Sequence, residues 1–127
     1  MKYTIREVSE KTNISAYVLR FYEKEGLLPH IHRSEGGIRY YTDEDMDLLG
    51  LICCLKKTGM QLKEIRTFVQ LSERGPETLR ERCAILKQQQ DNVQKQMEEM
   101  QKSYEKVSHK LAYFSRLLAE YEEKSKS

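Results

Sequence analysis

The chain has 127 residues, 39% hydrophobic and 33% charged, and a formal net charge of +2 from 22 Lys and Arg against 20 Asp and Glu. This is leaner in apolar residues and richer in charge than an average globular domain, as expected of a small core joined to much exposed helix. No run approaches the roughly 18 apolar residues of a membrane span, the charged start (Lys2, Arg6, Glu7, Glu10) is no secretory signal, and three cysteines without CxxC spacing argue against a disulfide framework and for a reducing cytoplasm.

Residues 1–41 hold seven Lys or Arg, five acids and six of the eleven aromatics, so any basic, aromatic surface belongs to the front of the chain. Thr4, with Glu7 three residues on, forms a capping box and predicts a helix over about 5–11. Thr12-Asn13-Ile14 reads as a tight turn and Ser15 as the next N-cap. A second helix over about 16–25 stops at Gly26, the residue type that favours helix termination. Two short helices across a three-residue turn make a helix-turn-helix. From Leu28 to Tyr41 the punctuation changes: Pro29, then Gly36-Gly37, then strand-favouring Ile38, Tyr40 and Tyr41. That predicts a two-stranded hairpin, or wing, over about 28–41. Thr42 caps a third helix over about 43–58, with Asp43, Glu44 and Asp45 where the helix dipole favours acids. Gly59 ends it, and a fourth helix follows over about 62–72.

Gly75-Pro76 divides a winged helix-turn-helix domain (residues 1–75) from a single long helix (76–127). Pro76 suits a first helical position, and no Gly or Pro follows it. Leu79, Cys83, Leu86, Gln90, Val93, Met97, Met100, Tyr104, Val107, Leu111, Phe114, Leu118 and Tyr121 keep a 4-3 spacing in which only Gln90 is clearly polar. Such sustained heptads predict a coiled coil. A helix from Pro76 to Tyr121 would run about 70 Å, too long for its seam to be covered by the small domain, so the economical partner is a second copy in a twofold dimer.

On a helical wheel of residues 16–25, Val18, Leu19 and Tyr22 face the first helix, while Tyr17, Arg20, Phe21 and Lys24 share the opposite side. Two aromatics and two cations on a stripe that the core does not need, after a three-residue turn and before a wing, are the pattern of a DNA recognition helix: Arg pairs with guanine, aromatics touch thymine methyls and cations reach phosphates. The plain alternative is a solvated face partly covered by the hairpin. Arg33, Arg39 and Tyr40 on the wing and Lys56 late in the third helix are candidate phosphate contacts, or solvated side chains. Tyr40 and Tyr41 point to opposite faces of a strand, so one packs and one is presented.

The runs Tyr3-Thr4-Ile5, Val18-Leu19-Arg20-Phe21-Tyr22-Glu23 with Gly26-Leu27-Leu28-Pro29, Gly37-Ile38-Arg39-Tyr40-Tyr41, and Leu55-Lys56-Lys57-Thr58-Gly59-Met60 resemble the MerR family of bacterial transcription regulators, closely over residues 3–73 and in kind over the long helix. The resemblance implies a mainly α chain: a winged helix-turn-helix at each end of an antiparallel coiled coil. It implies a homodimer on double-stranded promoter DNA, in a spacer too long for RNA polymerase, which it kinks and untwists on effector binding. Deforming DNA in this way costs several kcal/mol. Carried over by position, the implied DNA contacts are Ser15, Tyr17, Arg20, Phe21, Tyr22, Arg39, Tyr40 and Lys56, to which the helical wheel adds Lys24. Phe21 stands where many members have Tyr, so a hydroxyl contact to phosphate is missing there.

Metal-sensing members carry a cysteine near the start of the dimer helix and a cysteine pair after it. Cys83 approaches the first position, but no later cysteine exists, so metal and cofactor are not expected; Cys83 reads as a seam residue. The chain ends at Ser127, which leaves no separate drug-binding domain on this reading. One short branch of the family has a cysteine at the place of Cys54 and responds to aldehydes or other electrophiles. Flanking Lys56 and Lys57 would favour a thiolate at Cys54, whereas Cys53 is closer to the apolar spacing and inert. The alternative is that Cys54 is only a packed core residue. An enzyme is not expected: His30, His32 and His109 are scattered, no nucleophile motif exists and the chain is too thin for a deep pocket. The other functional class is an effector-independent repressor or architectural DNA-binding protein.

Overall fold

The computed structural model describes residues 1–28 and 32–126; Pro29 and His30, part of the expected wing, lie outside the described residues. In chain order the elements are β1 (Lys2–Tyr3), α1 (Ile5–Thr12), α2 (Ala16–Lys24), β2 (His32–Arg33), β3 (Arg39–Thr42), α3 (Asp43–Lys57), α4 (Leu62–Glu73), a 3-10 turn (Pro76–Thr78) and α5 (Leu79–Ser125).

The polar residues at each junction explain these bounds. Glu7 N donates to Thr4 Oγ1 and Thr4 N to Glu7 Oε1, both at 3.1 Å, closing the expected capping box. Asn13 takes the left-handed conformation (φ 61°) that ends α1, and Ser15 Oγ accepts from Val18 N at 3.2 Å to start α2. Gly26 (φ 74°) lets Leu27 N reach back to Tyr22 O at 2.8 Å and Gly26 N to Glu23 O at 3.2 Å, the paired bonds of a Schellman stop. At α3 the acids do more than meet the dipole: Asp45 Oδ2 accepts from Thr42 N at 2.8 Å while Asp45 N donates to Thr42 Oγ1 at 3.2 Å.

The sheet is three-stranded and antiparallel, in the order β1-β3-β2. Lys2 pairs with Thr42, Tyr3 with Tyr41, His32 with Tyr40 and Arg33 with Arg39. β1 was not expected. At two residues it has no periodicity of its own and exists because the far end of the hairpin offers it a partner. Arg33 Nη1 donates to Gly37 O at 3.1 Å, closing the hairpin turn rather than reaching outward. Val8, Leu19, Leu27, Leu49, Ile52 and Ile65 are at most 1% exposed and form the centre of a core contributed by α1, α2, the α2–β2 connection, α3 and α4.

Packing divides the chain into Met1–Gln89 and Gln90–Ser127, later than the Gly75-Pro76 division drawn from sequence. Three interactions carry the first three turns of α5 into the first unit. Thr78, fully buried, donates to Leu71 O at 2.6 Å and accepts from Arg82 Nε at 3.0 Å. Ile85 and Leu86 pack on the core. Gln89, 6% exposed, donates to Thr58 Oγ1 at 2.7 Å. The helix therefore begins at Leu79 rather than at Pro76, whose turn is tightened by the Thr78 hydroxyl. Leu86, assigned to the dimer seam, is partly used within its own chain.

The second unit is helical through Ser125. Along it Met97, Met100, Tyr104, Val107, Leu111, Phe114, Leu118 and Tyr121 are exposed, an apolar stripe at coiled-coil spacing.

Candidate nucleic-acid interface

α2 presents Tyr17 (78% exposed) and Phe21 (37%) together with exposed Arg20 and Lys24, while Leu19 and Tyr22 face the core. Among the described residues neither Arg20 nor Lys24 has an acidic partner within salt-bridge distance. Ser15, exposed, is engaged through its Oγ as the helix cap.

Tyr22 needs correction. Its ring is 4% exposed and so is a core element. What it offers toward the surface is its hydroxyl, which accepts from Lys56 Nζ at 3.5 Å, the ammonium lying 5.2 Å from the ring centroid. Any part it plays at the interface passes through exposed Lys56.

On the wing Tyr41 is buried and Tyr40 half-buried, the division that strand alternation requires. Tyr40 is held between His32, stacked at 5.2 Å, and Lys2 Nζ, 4.6 Å from its ring. His32 Nε2 lies 3.3 Å from Asp45 Oδ2. Arg39 Nη1 donates to Glu23 Oε2 at 2.9 Å, and the Tyr41 hydroxyl donates to Glu23 Oε1. Burial, then this bond to the carboxylate, pushes the Tyr41 phenol well above its usual range. Arg20, Glu23, Lys24 and Arg39 line one open cleft between α2 and β3. Sequence reading missed Glu23, for nothing in a lone acid on a basic stripe announces that it is a strut. Ile38, expected in the strand, lies outside β3 beside the hairpin turn and is 67% exposed.

Cys54 is exposed and Cys53 half-buried. Burial raises the Cys53 thiol above its ordinary range, against the pull of Lys56, which disfavours its thiolate. Within the single chain the exposed Cys54 is not a core residue. Cys83 is exposed, whereas its seam neighbour Leu86 is half-buried. Among the described residues no three His, Cys, Asp or Glu side chains converge as a metal would require, and no helix is long and apolar enough to cross a membrane.

The geometry so far is that of a winged helix-turn-helix protein with a long C-terminal helix. Two family profiles match the chain: MerR HTH family regulatory protein over residues 3–72 and MerR, DNA binding over residues 46–109. An HTH-type transcriptional regulator of Haemophilus influenzae is 43% identical over 119 residues, 94% of this chain and 88% of its own. A crystal structure of HiNmlR, a MerR family regulator lacking the sensor domain, bound to promoter DNA, superposes with a TM-score of 0.86 at 43% identity, over 94% of each chain. The regulator YyaN of Bacillus subtilis is 47% identical over 68 residues, 54% of this chain but 49% of its own. The chain belongs to the MerR family of DNA-binding transcriptional regulators.

Proposed function

We propose that the protein binds the spacer of a bacterial promoter as a homodimer, and that on effector modification it kinks and untwists the DNA so that RNA polymerase engages both promoter elements. The carrying observation is the exposed Tyr17, Arg20, Phe21 and Lys24 stripe of α2 beside the wing. Ser15, Arg39, Tyr40 and Lys56, with Tyr22 behind it, complete the proposed contact set. The exposed stripe from Met97 to Tyr121 supports the second copy, because an apolar seam of that length is costly to leave in water. The promoter-bound state of HiNmlR supports the choice of DNA.

Arg20→Ala is expected to weaken operator binding by about 1–3 kcal/mol, with folding unchanged; anisotropy titrations and a thermal melt measure the two.

Cys54 is the proposed sensor, since it is the exposed thiol of the α3 pair. Run-off transcription from the gene's own upstream promoter, with and without a small aldehyde, tests this. Aldehyde-dependent activation should vanish in Cys54→Ser while DNA affinity stays within about threefold of wild type. A full response in Cys54→Ser would move the sensor elsewhere. No response in either protein would favour the effector-independent architectural role.

A further inference from the structure

Glu23 is an acid bordering the face proposed for DNA, in the cleft it shares with Arg20, Lys24 and Arg39, and simple electrostatics makes it a liability. Neutralising a carboxylate beside phosphates should tighten binding. Its environment argues the reverse. Its side chain is 6% exposed, against 31% for Arg39. One carboxylate oxygen accepts from Arg39 Nη1 at 2.9 Å and the other from the Tyr41 hydroxyl. With both oxygens engaged inside the fold, Glu23 cannot read a base edge as an exposed acid reads cytosine.

We infer that Glu23 is a positioning residue for DNA recognition: it ties the wing to α2 so that Arg39 joins Arg20 and Lys24 around one cleft that takes a single backbone phosphate. The inference rests on the DNA-facing reading of α2 and the wing. Three cations and one carboxylate line the cleft. The carboxylate is spent on orientation, so the remaining charge facing outward is cationic. Arg39's guanidinium keeps further N–H donors beyond the one directed at Glu23, and a fork of N–H groups fixed at one edge presents the others in a defined direction, as phosphate recognition requires. Arg20 and Lys24, one turn apart on α2, supply the other wall. Partly buried charge pairs of this kind are weak evidence for stability.

The test is equilibrium binding to a duplex carrying the gene's own upstream promoter, across a salt series, for wild type, Glu23→Gln, Arg39→Gln and the double variant. Glu23→Gln should bind roughly tenfold more weakly, and its log affinity against log salt should flatten by about one, the signature of one lost phosphate contact. Arg39→Gln should show the same flattening, and the double variant no more than either single one. A partly unfolded variant would lose affinity equally at every salt concentration and keep its slope, so the slope separates positioning from mere stability. Binding by Glu23→Gln as tight as or tighter than wild type, or an unchanged slope in Arg39→Gln, would overturn the inference. A wild-type slope near zero would overturn the DNA-facing reading beneath it.

Discussion

Leu111→Asp is expected to convert the protein from dimer to monomer and to lower its affinity for a palindromic operator at least a hundredfold. Leu111 is 66% exposed along the single chain and sits in the middle of the Met100 to Tyr121 stretch of the apolar stripe. A twofold arrangement makes every seam substitution act twice, and a carboxylate forced into an apolar seam without a partner costs several kcal/mol on each side. The loss in DNA binding follows from linkage between half-sites: two tethered reading heads exceed either one by about 10²–10⁴ through effective concentration alone. Light scattering gives the mass and anisotropy the affinity. A Leu111→Asp protein that remains dimeric with intact binding would refute the seam.

Leu19→Ala should destabilise the fold by about 2–5 kcal/mol, because a fully buried leucine leaves both its transfer energy and a cavity behind. Leu19 is 0% exposed in α2. For a domain of this size each kcal/mol shifts the melting temperature by about 4–8 °C, so a fall of about 8 °C or more is expected in a thermal melt. Tyr17→Ala, two residues earlier and 78% exposed, should move stability by less than about 0.5 kcal/mol while weakening operator binding. One helix thus carries two separable sets of residues. A Tyr17→Ala protein that melts early, or a Leu19→Ala protein that melts normally, would contradict the assigned faces.

Much of this architecture is legible in the sequence because it is written locally. Thr4 with Glu7, Ser15, Gly26, Thr42 and Gly59 are caps and stops whose chemistry acts within a few residues, and α1 to α4 begin and end within about two residues of the expected positions. The second helix divides into core and open faces as its wheel requires. What escaped depends on partners far along the chain. β1 exists only against β3, forty residues on. Gln89 looks like one glutamine of a polar run, and only Thr58 makes it a buried anchor. Tyr22 was assigned both to the core side, from its wheel position, and to the DNA side, from the resemblance; burial favours the wheel. Glu23 is invisible in one dimension because Arg39 and Tyr41, which give it meaning, come from another element.

The grip of α4 on the end of α2 has a kinetic consequence. Arg66 Nε donates to the Glu25 carbonyl at 2.5 Å and Nη2 lies 3.2 Å from the Glu25 carboxylate, while its methylenes would meet a Cβ on Gly26 at 3.7 Å. Held there, and by Ser15 at its other end, α2 would, on the proposed reading, meet DNA already ordered. The backbone ordering cost, about 1–2 kcal/mol for each residue fixed, falls on folding rather than on encounter. Arrival is then governed by diffusion and charge, which random duplexes satisfy as well as the operator does. On the proposed DNA-facing reading, selectivity is then expected in residence time: right and wrong sequences would be entered at similar speed and left at very different ones.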